Sequence, residues 1–394
     1  MSADPRVIAD QLLADFDAIR ATVEYTVIVE LRQRVEEHKF HDPTRALEIA
    51  EIATVAASLL GEPKAEALAA WAKATALLFN GQSAEAIPLY RRAEALYEEL
   101  THPVEQVSVQ APLVYALNAV GEPEAALALA TQVQTHCETL GAPARQALAH
   151  LEMNIGTIRK QQGAFAASLA ACDRAKALFA ALHDAEGVAR AEMNRANVLQ
   201  EMDRFAEAAT AYAAARPPLL ISQRNRQQVA LIDFNLGLLA ERRGRLLEAL
   251  RYLEAARDGF KPIVHQAAAD LNRAMIYNQL NLPVEAQQLA QSAEAIFVAN
   301  AMEMEAGHAL LIIGIAERQL GHYLQSQRAL QAANARFDQH QADFWSATAQ
   351  LALVTTTLQA ASQANREQAE QTQSYQTQSY QMAQTVYKMA ERAT

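Results

Sequence analysis

The sequence predicts an all-α protein, built as a right-handed α-solenoid of stacked helical hairpins. Its 394 residues are 51% hydrophobic but only 6% aromatic, with 13 glycines and 12 prolines, a composition that favours helix over sheet. A motif that ends a helix recurs about every forty residues, and a second helix break lies half a period later. Each period therefore encodes two helices, whose apolar faces can be buried only against neighbouring hairpins.

The repeat is marked by a turn at which Gly, Asn or Asp is followed by small residues. The first copy is HDPTRA at His41, and the later ones begin 37 to 42 residues apart, at Gly81, Gly121, Gly163, Asp203, Gly244, Asn281 and Gly321. Glycine, asparagine and aspartate can take the left-handed backbone conformation that ends a helix. We therefore expect each of these residues to separate the two helices of a hairpin.

The second break within the period is marked by proline in the early repeats. Pro63, Pro103 and Pro143 follow LGE, LTH and LGA at a spacing of 40 residues. Proline is tolerated in the first turn of a helix and stops a preceding one. These residues predict the connections between consecutive hairpins.

Small residues recur at the positions where the predicted helices must touch. In the first helix of each hairpin they lie seven residues before the turn, at Ala74, Val114, Gly156, Ala196, Gly237, Ala274 and Gly314. In the second helix one of two such columns is Ala53, Ala93, Val133, Ala175, Ala215, Ala256, Ala293 and Ala333. Small side chains let helix axes approach to the short end of the packing range, so these columns predict the helix contacts.

The predicted elements follow in order along the chain. Residues 1–23 are expected to form an N-terminal capping helix, 24–340 eight hairpins, and 341–364 a C-terminal capping helix. Residues 365–394 are rich in Gln and repeat QTQSY, yet Tyr375, Met382 and Met389 recur every seven residues, which indicates an amphipathic tail helix. The tail is expected to cap the stack; alternatively it pairs with another chain or leads to an effector domain.

The turn and the small residues together resemble the tetratricopeptide repeat (TPR) family. That family has a small residue late in its first helix, a Gly-x-aromatic turn and alanines in its second helix, and GAFAAS, DRFAEA and GHYLQS are similar to that turn. The period is longer than the family's usual length of about 34. It resembles the variant found in kinesin light chains and in the repeat arrays of bacterial regulators, including those ahead of CHAT-type proteases. The resemblance implies a TPR-like superhelix with a concave groove lined by the first helices.

Four consecutive first helices carry asparagine two residues before the small position. The residues are Asn154, Asn194, Asn235 and Asn272, in EMNIG, EMNRA, DFNLG and DLNRA. In the family that the chain resembles, this position points into the groove. A side-chain amide both donates and accepts, and so suits the backbone of an extended peptide. The alternative is that each amide only bridges neighbouring helices.

The neighbours of each asparagine on the same helix face refine the expected ligand. Residues four before and three after give a polar set, His150, Thr157, Arg190 and Asn197, and an apolar set, Leu231, Leu238 and Met275. We expect a peptide with an acidic or polar half opposite the first set and a hydrophobic half opposite the second. The paired Lys and Arg of the chaperone-binding members of the family are absent.

Charge and missing motifs exclude other classes. The net charge of −11 argues against a nucleic-acid partner, and no apolar run is long enough for a membrane span. Cys137 and Cys172 form no CxxC pair, and the nucleotide-binding, HExxH and GxSxG motifs are absent. We expect no catalytic residue, metal or cofactor, and a cytoplasmic location.

The leading interpretation is thus a non-catalytic interaction scaffold or peptide receptor with a protein or peptide ligand in the groove. The tail offers a second contact, self-association of the chain. The alternative is a regulatory or sensor arm that controls an attached or partner effector enzyme, such as a CHAT-type protease.

Overall fold

A computed structural model describes residues 24–40, 42–367 and 372–393 of the chain. Within these ranges the secondary structure is helical, without strands. Two compact units follow one another in sequence, residues 1–227 and residues 228–394. The N-terminal capping helix expected at 1–23 lies outside the described residues.

Unit 1 contains ten helices in its described part, with a 3-10 turn at Ala142–Ala144 before the seventh. They are α1 Tyr25–His38, α2 Pro43–Leu60, α3 Pro63–Phe79, α4 Ser83–Glu99, α5 Pro103–Ala119, α6 Pro123–Leu140, α7 Arg145–Gln161, α8 Phe165–Ala181, α9 Ala185–Glu201 and α10 Phe205–Leu220. Each helix packs against the next in sequence, and the odd-numbered helices are the first helices of the predicted hairpins. This consecutive packing is typical of an α-solenoid.

Unit 2 continues the pattern through eight helices in its described part. They are α11 Arg226–Arg242, whose first two residues precede the unit boundary, α12 Leu246–Gly259, α13 Ile263–Gln279, α14 Pro283–Ala299, α15 Glu303–Gln319, α16 Tyr323–Gln339, α17 Asp343–Glu367 and α18 Thr372–Ala393. Here too each helix packs against its successor. The helix expected at 341–364 is α17, three residues longer at its C-terminal end, and the tail helix is α18.

The turn residues have the backbone conformation that the sequence predicts. Gly81, Gly121, Gly163, Gly244 and Gly321 have φ between 71° and 86°. Asp203 and Asn281 have φ of 57° in the corresponding turns. Each lies in the left-handed region at the end of the first helix of a hairpin, which lets the chain reverse within three residues.

The small columns bring the two helices of a hairpin into close contact. The column of small residues in the first helices is buried, and at Gly156 an added Cβ would lie 3.1 Å from Cys172 Sγ. The Ser168 hydroxyl donates a 2.6 Å hydrogen bond to the Gly156 carbonyl, and in unit 2 Ser326 makes the same bond to Gly314 at 2.7 Å. A larger residue at either glycine would separate the two helices.

Candidate functional site

In unit 1 the two predicted amides lie half-buried on first helices but differ in their bonding. Asn154 on α7 donates from Nδ2 to the Ala111 carbonyl of α5 at 2.8 Å, so it bridges neighbouring first helices. Asn194 on α9 makes no hydrogen bond with any described residue. Asn154 keeps its amide oxygen as an acceptor, while Asn194 has both donor and acceptor available to a ligand or solvent.

In unit 2 the same division occurs. Asn272 on α13 donates from Nδ2 to the Ala268 carbonyl one turn earlier in its own helix, at 2.8 Å. Asn235 on α11 is half-buried and, among the residues that the structure describes, has no hydrogen-bond partner. Each unit therefore holds one engaged amide and one unengaged amide of the column.

The polar neighbours in the α7 part of unit 1 are largely engaged within the chain. The His150 ring packs edge-on against Phe179, with centroids 5.2 Å apart. Burial, followed by the positive charges of Arg190 and Lys39, lowers the pKa of His150 to about 4, so the ring is neutral at pH 7. Thr157 donates to the Met153 carbonyl of its own helix at 3.1 Å.

The polar neighbours on α9 are engaged as well. The Arg190 guanidinium lies 3.8 Å from Asp184 and 3.8 Å from Glu186, so two carboxylates already face its charge. The Asn197 amide oxygen accepts a hydrogen bond from the Tyr212 hydroxyl of α10. These contacts leave Asn194 as the unengaged polar group of the predicted α9 set.

The apolar set of unit 2 is partly open. Leu231 on α11 is 42% exposed, and Leu238 on the same helix is half-buried. Met275 on α13 is also half-buried and packs against the core cluster that contains Leu271 and Ala274. An apolar side chain of a ligand could be covered by Leu231 in particular.

An acidic column that we did not predict lies two residues before each asparagine. Glu152 accepts from Arg174 at 2.8 and 3.0 Å and from Gln134 at 2.8 Å, so it joins α7 to α8 and to α6. Glu192 pairs with Lys176 of α8, and Asp270 of unit 2 pairs with Arg257 of α12 at 3.0 Å. These three acids therefore join neighbouring helices, while the asparagine two residues later occupies another side of the same helix.

Amide bridges between neighbouring first helices were also missed. Asn118 of α5 donates to Gln161 of α7 at 2.8 Å. In unit 2, Asn278 of α13 donates to the Ile312 carbonyl of α15, and Gln319 of α15 returns a bond to the Asn278 carbonyl, each at 3.0 Å. These bonds tie first helices side by side, as Asn154 does.

The chemistry open to this arrangement is hydrogen bonding and apolar contact. Cys137 and Cys172 are buried free thiols, and burial raises the pKa of each to about 11, so neither is a thiolate at neutral pH. The described residues contain no group of three His, Cys, Asp or Glu side chains placed to hold a metal ion. In the same ranges no helix is both long and apolar enough to cross a membrane.

No protein-family model matches the sequence, and no curated protein matches it. Among solved structures, the apo form of RapI is similar with a TM-score of 0.61 at 12% identity, over 83% of this chain and 98% of RapI. The apo form of the quorum sensor NprR from B. thuringiensis gives a TM-score of 0.56 at 11% identity, over 90% of this chain and 98% of that one. TPR-like repeats of a putative kinesin light chain from Podosopora anserina cover 50% of this chain at a TM-score of 0.42 and 15% identity, and 98% of that chain is covered. The chain therefore has the fold of the TPR-like helical repeat proteins, as its turn motifs implied.

Proposed function

We propose that this chain is a non-catalytic peptide receptor whose first helices bind the backbone of an extended segment. The observation that carries the proposal is the pair of half-buried amides, Asn194 in unit 1 and Asn235 in unit 2, neither of which makes a hydrogen bond with a described residue. A polar side chain that loses part of its hydration without gaining an internal partner is disfavoured unless a ligand or water supplies the bond. Peptide N–H and C=O groups match both atoms of such an amide.

The two engaged amides contribute less in this proposal. The side-chain amides of Asn154 and Asn272 each donate a hydrogen bond to a backbone carbonyl, so the amide oxygen of each can still accept a hydrogen bond from a peptide N–H. Their bonds also fix the orientation of each amide, so the acceptor is held in place before a ligand arrives. Within each unit, one fixed acceptor and one unengaged amide then serve the bound segment.

The contacts revise the chemistry expected of the ligand. Asp184 and Glu186 already face Arg190, so the segment opposite α9 is proposed to be polar rather than acidic. Asn197 and Thr157 are engaged internally, and His150 is neutral, so they line the surface without adding charge. Opposite unit 2 the proposed ligand side chains are apolar, since Leu231, Leu238 and Met275 are partly open there.

A relative in fold supplies a precedent for this role. NprR is called a quorum sensor, and another structure of it holds its cognate peptide NprX. That binding is a property of NprR. Its fold likeness to this chain supports the proposed receptor role.

The experiment is selection of random peptides displayed on phage against the immobilised full chain, followed by affinity measurement on synthetic versions. The proposal expects the recovered peptides to fall into a polar group, whose members compete for unit 1, and an apolar group, whose members compete for unit 2. Failure to enrich any peptide, together with capture of one folded enzyme from native lysate, would instead support the regulatory-arm alternative.

Self-association through the tail and a cytoplasmic location remain predictions.

A further inference from the structure

A guanidinium group of unit 1 is held in place without a hydrogen-bond acceptor. Arg32 on α1 lies over the indole ring of Trp71 on α3, with its Cζ atom 3.6 Å from the ring centroid. The Nε–H group of Arg32 is buried and has no hydrogen-bond partner among the described residues. A charged donor that loses water without gaining an acceptor is disfavoured, so a ligand or a water molecule is needed to supply one.

The carboxylate beside Arg32 does not supply that acceptor. One oxygen of Glu36 lies 3.6 Å from a terminal guanidinium nitrogen of Arg32, which is too far for a hydrogen bond. The other oxygen of Glu36 accepts a hydrogen bond from the ammonium group of Lys39. The three residues lie on one face of α1, where two cations share a single carboxylate and leave one net positive charge.

The aromatic contact prepares Arg32 for a planar anion. Trp71 packs edge-on against the buried ring of Tyr97, with ring centroids 6.4 Å apart, so the surface beneath the guanidinium is itself supported. An arginine stacked on an aromatic face keeps the N–H groups at its edge available, and these match the two oxygens of a carboxylate. A phosphate dianion is a poorer fit, because Glu36 would repel its second negative charge.

The repeat pattern places Arg32 in the column that contains the asparagines. Arg32 lies nine residues before the turn at His41, and the same spacing separates Asn154 from the turn at Gly163. Both side chains are half-buried on first helices of unit 1. Arg32 therefore belongs to the surface that the proposed function assigns to the peptide.

The charges on α1 also act on α7, the helix that carries Asn154. Burial and then the positive charge of Arg190 are the main causes of the low pKa of His150, and the charges of Lys39 and Glu36 also shift this pKa. Charges farther apart than about 10 Å are largely screened in solution. The charged face of α1 and the groove-facing side of α7 are therefore close enough to contact one bound segment.

We propose that Arg32 binds a carboxylate of the peptide received by unit 1, in a bidentate pair whose orientation is set by Trp71. The inference rests on the proposed receptor function and adds a charged group to its ligand. The carboxylate belongs to an acidic side chain or to the peptide C-terminus, which present the same two oxygens. It lies at the α1 end of the surface, while the segment opposite α9 stays polar and uncharged.

Retention of synthetic hexapeptide pools by the immobilised full chain, measured by mass spectrometry, tests this assignment. All three pools are acetylated at the N-terminus. One has an amidated C-terminus and a single acidic residue, one has a free C-terminus and no acidic residue, and one has neither carboxylate. We expect at least one carboxylate pool to be retained about tenfold or more above the third, and Arg32→Gln to abolish the difference. The pool that loses retention identifies the source of the carboxylate.

Two further variants separate charge recognition from general effects. Arg32→Lys keeps the charge but loses the bidentate fork, so it should retain only part of the preference for carboxylates. The matched control is Arg91→Gln on α4, whose side chain is 52% exposed, and it should leave the preference unchanged.

The outcomes distinguish this inference from the receptor function. Equal retention of all three pools by the wild type, or a preference that survives Arg32→Gln, would overturn the role of Arg32 and leave the receptor function standing. Weaker retention of all three pools alike in Arg32→Gln would show that Arg32 only supports the fold. Retention of no pool by the wild type would contradict the receptor function and, with it, this inference.

Discussion

The side chain of Asn154 donates a 2.8 Å hydrogen bond to the backbone carbonyl of Ala111, 43 residues earlier in the sequence. The bond joins α7 to α5, two first helices that lie side by side in unit 1. Asn194, at the equivalent position of the next hairpin, has no such partner among the described residues. One column of identical residues therefore combines a structural bridge with an open hydrogen-bonding group.

This difference predicts that alanine substitution at the two positions changes stability by different amounts. Asn154→Ala removes a bond that contributes about 0.5 to 1.5 kcal/mol, while Asn194→Ala removes none. Both variants gain helix propensity, by at most about 0.7 kcal/mol, so this gain cancels when the two are compared. Urea denaturation should show Asn154→Ala less stable than Asn194→Ala by about 0.5 to 1.5 kcal/mol. Equal stabilities would show that the Asn154 bridge is not formed in solution.

The second prediction concerns the alanine column of the second helices. Ala215 on α10 is fully buried, so Ala215→Leu adds three carbon atoms where no space is free and should cost about 1 to 3 kcal/mol in unfolding free energy. Its neighbour Ala214 is exposed on the same helix, which makes Ala214→Leu a control with the same change in composition. If both variants melted at the same temperature, the column would not be a close helix contact.

His150 predicts a pH dependence of stability. Its folded pKa of about 4 lies below the ordinary value of 6.5, so the unfolded chain binds more protons between these values. The contribution of neutral His150 to the free energy of unfolding is fully present above pH 6.5 and is lost as the pH falls towards 4. Unfolding free energies measured between pH 4 and 7 should fall less steeply with acid in His150→Phe than in the wild type. An unchanged slope would mean that the ring is not buried as described.

The acidic column predicts a large effect at a position with no role in binding. Glu152 is buried and holds Arg174 and Gln134, so Glu152→Ala should lower the unfolding free energy by about 1 to 3 kcal/mol. The cost stays below that of a fully buried ion pair because Arg174, whose side chain is 52% exposed, can return to water.

The exposed pair of Arg45 and Glu48 is the control for that measurement. A guanidinium nitrogen of Arg45 lies 2.6 Å from a carboxylate oxygen of Glu48, but both side chains are solvated. Glu48→Ala should therefore change the free energy of unfolding little. If the two glutamate variants behaved alike, Glu152 would not join the hairpins.

Most of the fold could be predicted because the turns are encoded locally. Gly, Asn and Asp mark the first break of each period, and proline marks several of the second breaks. The breaks at His183 and Ala301 were not predicted, although both residues have positive φ, at 55° and 54°. There the helix end is closed by backbone bonds, such as Met302 N–H to the Phe297 carbonyl at 2.9 Å, which side-chain identity does not reveal.

The position of the candidate site could be predicted from the sequence, but which of its residues make contacts within the chain could not. The asparagines form a column that can be seen in the sequence. The acceptor of the Asn154 hydrogen bond, however, is the backbone carbonyl of Ala111, and because every residue has a backbone carbonyl, the sequence does not indicate which one is used. The acids of the EMN and D-x-N motifs are equally visible. Their cations lie 22, 16 and 13 residues away for Glu152, Glu192 and Asp270, so no fixed spacing indicates the pairs.

The most direct test of the receptor proposal is the affinity of a selected peptide for Asn194→Ala and Asn235→Ala, measured by fluorescence polarisation. Each amide–backbone bond contributes about 0.5 to 1.5 kcal/mol, so each variant should bind roughly 2- to 13-fold more weakly, with folding stability unchanged or slightly raised. Weakening in one variant alone would assign the peptide to that unit. Wild-type affinity in both variants would contradict the account, because the unengaged amides would then be ordinary solvated surface.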